Sequence, residues 1–229
     1  GTGKRMNTVS RPKQFLELQG KPIIIYTLDL FDTHEEIDAI VVVCVESWIP
    51  FLKKQLKKFE ITKVVDIVPG GDTGQNSIYN GLEAVHTRYT ENSVVLIHDG
   101  VRPLITQKTI SDNIQKVKES GNCITCISAT ETFVVRQSDN SLEIPSRENS
   151  LIARAPQSFL LKDIYGAHIK ARQEGKHDFI DSCTMMSYYG YTMNTIIGPV
   201  ENIKITTPTD FFIFRAMVEV HENQQIFGV

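Results

Sequence analysis

The chain has 229 residues, 41% of them hydrophobic and 22% charged, with a formal charge of −3. That length suits one large domain with its own core, and the balanced charge excludes the basic footprint that nucleic acid or an anionic membrane surface demands. No apolar run approaches the ~20 residues of a membrane span and no charged-then-apolar leader opens the chain, so the expected compartment is the cytoplasm and the expected ligand is small.

The first fifteen residues contain Gly1-Thr2-Gly3-Lys4-Arg5-Met6 and Arg11-Pro12-Lys13-Gln14-Phe15, with four cations and no acid before Glu17. Glycines let bare N–H groups crowd an anion, and Lys and Arg add charge and a planar fork of donors. This is a way to hold a triphosphate, although a solvated basic terminus has the same composition. Such loops follow a buried strand. None precedes Gly1, so a first strand is expected ahead of residue 1.

Pro22 to Phe31 places Ile24, Leu28 and Phe31 at helical spacing. Ala39 to Val45 is a continuous β-branched run, the mark of a strand covered on both faces in a parallel sheet. A helix over Trp48 to Phe59 and a strand over Val64 to Val68 repeat the pattern. Then comes Pro69-Gly70-Gly71-Asp72-Thr73-Gly74-Gln75-Asn76-Ser77 before a helix carrying Ile78, Leu82 and Val85. Glycines and small polar groups at a strand's C-terminal end stand where open α/β sheets bind ligands, and they also serve as caps.

Val94 to Ile97 is the next strand, ending in His98-Asp99-Gly100-Val101-Arg102-Pro103. Asp99 at that tip suits a cation or a hydroxyl-rich substrate, while Arg102 either pairs with it or meets a phosphate. His98 reads as a supporting or packed histidine. A helix over Ile110 to Lys118 and a strand over Cys123 to Ser128 follow. Cys123-Ile-Thr-Cys126 fits C-x-x-C, but with Cys44 and Cys183 remote and no second pair, buried thiols are expected rather than zinc.

Thr132 to Arg136 and Leu142 to Pro145 flank a Gln-Ser-Asp-Asn turn, a hairpin that is marginal alone and so is expected to pack on a second subunit. Arg147 follows, and Leu151 to Phe159 leads into a helix from Leu160 to about Gln173. Another helix opens at His177 to Ser182, with Asp178 or Asp181 as cap. Val200 to Pro208 reads as a short strand whose alternation separates Lys204 from Ile203 and Ile205, and a final helix runs from Thr209 to about Glu222. The whole, 1–229, reads as one α/β domain with a doubly wound, mostly parallel sheet and a β-arm at about 131–156.

Six motifs occur in one order: Gly-x-Gly-x-Arg-Met, Pro-Lys-Gln-Phe-Leu, Gly-Gly-Asp with Asn76-Ser77, His-Asp-Gly-Val-Arg-Pro, Ala-Pro-Gln-Ser-Phe and Asn-Ile-Lys-Ile-Thr-Thr-Pro-x-Asp. The set resembles the cytidylyltransferases that activate 2-C-methyl-D-erythritol 4-phosphate in isoprenoid synthesis and ribitol 5-phosphate in cell-wall polymer synthesis. The resemblance implies a Rossmann-like nucleotidyltransferase fold, a homodimer joined by β-arms, and transfer of CMP from CTP to a polyol phosphate with Mg²⁺. It implies Arg5, Lys13 and Lys204 as catalytic cations. Gly1, Thr2, Gly3, Gly70, Gly71, Asp72, Ser77 and Gly100 are implied on the CTP side. Asp99, Arg102, Arg147 and Thr206 are implied on the acceptor side, with Arg147 reaching across from the neighbouring subunit and Asp99 also near the metal.

Two positions depart from the pattern. Gly74 stands where many relatives carry Arg, and Ala155 stands where the erythritol enzymes carry Thr. The lost hydroxyl at Ala155, with Val101 and Ile-Pro-Ser-Arg, leans toward a pentitol phosphate, ribitol 5-phosphate first and 2-C-methyl-D-erythritol 4-phosphate next. The alternatives are a non-catalytic nucleotide-binding homologue and a sugar nucleotidyltransferase that uses another nucleoside triphosphate.

Overall fold

In the computed structural model, which describes residues 11–227, the 3-10 turn Lys13–Phe15 buries Phe15 against the Trp48 ring at 4.9 Å. A short antiparallel pair follows, β1 (Glu17–Leu18) and β2 (Lys21–Pro22). Pro22, with its fixed φ, then caps α1 (Ile23–Asp32). Ile24, Ile25 and Leu28 of α1 pack with Val42 of β3 (Ile40–Cys44) and with Leu52 and Leu56 of α2 (Ile49–Lys58). β3 runs parallel to β4 (Val64–Pro69).

α3 (Gly74–His86), β5 (Val94–Ile97) and α4 (Gln107–Ser120) come next. α4 stops at Gly121, whose φ of 82° is the left-handed C-cap that glycine adopts without strain. β6 (Asn122–Ser128), a small hairpin of β7 (Val135–Arg136) and β8 (Leu142–Glu143), β9 (Leu151–Leu160), α5 (Leu161–Gln173), α6 (Ser182–Tyr188), β10 (Thr195–Ile197) and α7 (Pro208–Phe227) complete the order. The larger sheet is ordered β10-β6-β9-β5, with β10 parallel to β6 and β9 antiparallel to both neighbours. Among the described residues β3 pairs with β4 alone and β5 with β9 alone.

Strand alternation puts helices on both faces, the expected α/β layering on a mixed sheet. Val95 and Ile97 of β5 face a core built from Leu82, Phe159, Leu161, Ile164 and Met185, whereas Leu96 faces Phe31, Ile110 and Ile114. A buried amide on α4 ties that helix to the sheet: Asn113 donates to Thr125 Oγ1 at 2.8 Å and accepts from Ser158 Oγ at 2.8 Å.

Several elements differ from the sequence reading. Leu151 onward does lead into α5, but as the longest strand of the sheet, so the arm ends before it. Proline hides this strand in the sequence. Pro156 has no N–H to donate, and it lies where the register jumps from Ile124↔Gln157 to Cys126↔Ala153, so the ladder tolerates it. β10, three residues long, is also invisible to pattern. Conversely, Val200 to Pro208 is not a strand: a turn closes between Asn202 N–H and Pro199 O at 3.2 Å, and one backbone bond, Ile205 N–H to Val101 O at 2.9 Å, stands in for a ladder. Residues 177–181 form a loop before α6, and of its two aspartates Asp181 is the cap, accepting from Thr184 N–H at 2.8 Å.

All four cysteines are free, with Cys44, Cys123 and Cys126 buried. Burial pushes the Cys123 thiol up to about 12. No group of three or more His, Cys, Asp or Glu that could hold a metal occurs among the described residues. Nor, among them, is any helix long and apolar enough to cross a membrane.

Candidate active site

Asp99 stands two residues beyond the end of β5, and two cations hold it. Its Oδ2 accepts from Arg102 Nε at 2.8 Å and its Oδ1 from Lys204 Nζ at 2.7 Å. Burial presses this carboxyl upward, but the Lys204 and Arg102 charges and their hydrogen bonds outweigh it and hold it at about 2. His98, beside it, is packed against Phe31 and donates its Nε2–H to Arg102 O at 3.2 Å. Burial pulls its imidazole down to about 4, which favours the neutral ring.

Lys204 is presented by a loop pinned on either side of it. Asn202 is buried, its Nδ2 donating to Ala155 O at 2.7 Å while its own carbonyl accepts from Arg102 Nη1 at 2.9 Å and Arg154 Nη1 at 3.0 Å. Ile205, fully buried among Leu18, Ile23 and Phe214, is the second pin. Between them Lys204 is left exposed, as the alternation expected. Thr206 donates its hydroxyl to Lys204 O, and Asp210 Oδ2 accepts the N–H groups of Thr206 at 2.8 Å and Thr207 at 2.7 Å. Burial raises the Asp210 carboxyl, and those N–H groups, helped by the charge of Lys13, bring it below its ordinary value. Lys13 and the Lys204 loop therefore share one electrostatic neighbourhood.

The glycine loop after β4 is closed by one hydroxyl. Ser77 Oγ accepts from Gly71 N–H at 3.1 Å and donates to Thr73 O at 2.9 Å, while Thr73 caps α3 by accepting Asn76 N–H at 3.0 Å. A Cβ on Gly71 would lie 2.6 Å from Asn76 Cβ, so only glycine fits the turn. Gly70, Gly71 and Asp72 are exposed, leaving the loop's outer face open to a ligand. At Gly74 an added Cβ meets nothing within 4 Å.

A cavity of about 360 Å³ runs from the Asp99 clamp to the start of α3 at Gly74 and Gln75, with Asp99, Arg102, Arg154, Gln157, Asp181 and Lys204 in its wall. Of the expected site residues, Asp99, Arg102 and Lys204 come together here, and Gly70, Gly71, Asp72 and Ser77 form the adjoining loop. Gly100 lies in the Asp99 turn, its carbonyl accepting from Thr27 Oγ1 at 3.2 Å. Arg147 does not line this cavity; it is exposed on the arm's last turn. Gly1, Thr2, Gly3 and Arg5 fall outside the described residues.

Sequence reasoning gave no role to Arg154, Gln157 or Asn202, although the last two stand inside the Ala-Pro-Gln-Ser-Phe and Asn-Ile-Lys motifs. The signal for Arg154 was the alternation of Ala153-Arg154-Ala155, legible only once Pro156 is accepted inside a strand. Each oxygen of Asp99 accepts from one cation and keeps a further lone pair, and no group of three or more His, Cys, Asp or Glu that could hold a metal surrounds it among the described residues.

The IspD family model, described as 2-C-methyl-D-erythritol 4-phosphate cytidylyltransferase, matches residues 1–220. A ribitol-5-phosphate cytidylyltransferase of Vibrio parahaemolyticus serotype O3:K6 is 51% identical over 229 residues, spanning 100% of this chain and 96% of its own. A 2-C-methyl-D-erythritol 4-phosphate cytidylyltransferase of Clostridium botulinum (strain Loch Maree / Type A3) is 38% identical over 220 residues, 96% of this chain and 94% of its own. The solved 4-diphosphocytidyl-2C-methyl-D-erythritol synthase of Anaerococcus prevotii DSM 20548 superposes with a TM-score of 0.79 at 25% identity, covering 89% of this chain and 88% of that one. With residues 1–220 matched and half of all positions shared with full-length relatives, the chain belongs to the 2-C-methyl-D-erythritol 4-phosphate cytidylyltransferase family of enzymes.

Proposed function

We propose that this chain transfers CMP from CTP to ribitol 5-phosphate in the cytoplasm and releases pyrophosphate. The observation that carries the acceptor is the 51% identity, end to end, with a protein named for ribitol 5-phosphate, against 38% for one named for 2-C-methyl-D-erythritol 4-phosphate. An oxygen of the acceptor's phosphate attacks the α-phosphorus of CTP in line. That P–O bond forms as the bond from the α-phosphorus to the bridging oxygen breaks, and pyrophosphate leaves with the electron pair. No covalent enzyme intermediate is needed, so the protein's contribution is positioning and charge stabilisation.

Lys204, steadied by Asp99, meets the negative charge that grows on the phosphorus oxygens, with Arg5 and Lys13 on the triphosphate side. Gly70, Gly71, Asp72 and Ser77 form the wall for cytosine and ribose, joined by Gly1, Thr2, Gly3 and Gly100. Asp99, Arg102 and Thr206 serve the acceptor. A divalent cation such as Mg²⁺ that travels with the triphosphate would be held by phosphate oxygens and water, since the described residues offer it no cage. Val134, Val135, Leu142 and Ile144 of the arm are each 42% to 65% exposed, which supports a homodimer in which the arm and its Arg147 reach a neighbour.

The test is pyrophosphate release from CTP with Mg²⁺ and either ribitol 5-phosphate or 2-C-methyl-D-erythritol 4-phosphate. At least tenfold higher kcat/KM with ribitol 5-phosphate is the expected result. The family model's own description favours the second acceptor, and the reverse ratio would establish it. Release with neither acceptor would overturn both.

A further inference from the structure

Arg154 lies near the middle of β9 with its side chain half-buried in the cavity wall. Its Nη1 donates to Asn202 O, the same oxygen that Arg102 Nη1 already holds. Two guanidinium groups thus converge on one neutral carbonyl. Arg102 is balanced by Asp99, which Lys204 also uses, whereas among the described residues no carboxylate pairs with Arg154. The other carboxylate of the cavity, Asp181, is committed elsewhere, accepting Thr184 N–H at 2.8 Å and the Gln157 amide at 3.1 Å. Burial and the neighbouring Arg102 both lower the Arg154 pKa, the mark of a cation held short of counter-charge.

A purely architectural duty does not require this charge. Arg102 already holds the Asn202 carbonyl, and the Asn202 side chain already holds Ala155 O. A planar fork with donors left over, in a partly desolvated wall, is suited to a dianionic phosphate, which would separate the two like charges it bridges. Further along the same cavity the buried Ser182 Oγ and both ring nitrogens of the buried His168 have no hydrogen-bond partner among the described residues. Unpartnered buried polar atoms call for hydroxyl groups or water. A cationic wall joined to such a lining fits a molecule with a phosphate at one end and hydroxyls along its length.

We infer that Arg154, with Arg102, forms the subsite for the acceptor's phosphate and that, on the transfer reaction proposed above, it is a specificity determinant for the polyol phosphate rather than for CTP. The experiment compares wild type with Arg154→Ala and Arg154→Lys, measuring KM for ribitol 5-phosphate and for CTP, and calorimetric binding of ribitol 5-phosphate and of free ribitol. Arg154→Ala is expected to raise the acceptor KM about 10- to 100-fold, with the KM for CTP and the melting temperature little changed, and Arg154→Lys to recover part of the loss. An unchanged acceptor KM, or a rise confined to CTP, overturns the assignment. If wild type shows no cytidylyl transfer, the function proposed above fails separately and binding decides alone. Ribitol 5-phosphate bound by wild type but weakly by Arg154→Ala supports the subsite; no binding, equal binding by both, or free ribitol bound as tightly overturns it.

Discussion

Replacing Lys204 by alanine separates charge stabilisation from architecture, because the structure makes the two effects unequal. The side chain is 41% exposed and its partner Asp99 30% exposed. An ion pair this open to solvent contributes at most about 1 kcal/mol to folding, or about 2–4 °C in melting temperature for a chain of this size. A unit charge about 4 Å from developing negative charge, at an effective dielectric near 20, is worth about 4 kcal/mol. Removing one such donor from a transition state costs about 10²- to 10³-fold in kcat. Lys204→Ala should therefore melt within a few degrees of wild type yet release pyrophosphate about 10²-fold more slowly or worse at saturating CTP and acceptor. A folded variant with kcat within about threefold of wild type would refute the reasoning, since no charge of that size could then have been lost from the reacting phosphorus.

Three further outcomes follow from named contacts. The Asp99 carboxyl is held at about 2 against an ordinary 3.8, so its stabilising contribution is complete above pH ~4 and lost as the pH falls toward 2. With solvent screening this is about 1–2 kcal/mol, and the melting-temperature gap between wild type and Asp99→Asn should narrow over that window; a constant gap would contradict it. Gly71→Ala, forcing a Cβ to 2.6 Å from Asn76, should destabilise by about 1–3 kcal/mol and raise the KM for CTP, while Gly74→Ala, whose Cβ meets nothing, should do neither. Equal behaviour of the two, by thermal melts and CTP titration, would dissociate the loop from the nucleotide. Deleting residues 133–144 should give a monomer by sedimentation with little activity, and a fully active monomer would remove the arm from the site.

Much of this architecture was legible because it follows from local patterns. The β-branched run at Ile40–Cys44 and the apolar run at Val94–Ile97 formed strands where expected, and the helical spacing of Leu82 and Val85 did mark α3. Asp99 and Arg102 were readable as candidate chemistry because they follow a strand tip, the ligand-binding edge of an α/β sheet, whereas Lys204 gained its expected role only from the motif resemblance. β9 was not readable, since proline is ordinarily evidence against a central strand and the bulge that accommodates it is a tertiary feature. Arg147 was expected to reach the acceptor of a neighbouring subunit; it lies exposed on the arm, and any such approach depends on a surface outside the single chain.

The Lys204 loop shows most clearly what a sequence pattern carries and what it leaves out. Alternation around Lys204 predicts a strand; the structure keeps the facing it implies but not the element. What turns Ile203 and Ile205 inward is burial beside Leu18, Ile23 and Phe214, and what holds the segment extended is one backbone bond to Val101 together with the Asn202 carbonyl under two guanidinium groups. A strand in a sheet would have fixed Lys204 by many weak ladder bonds. This loop fixes it by two strong pins, and one of them, Asn202, rests on the same arginines that face the cavity. Anion binding by Arg102 and Arg154 would therefore act on the very carbonyl that positions Lys204, which gives the acceptor's phosphate a physical route to the placement of the lysine.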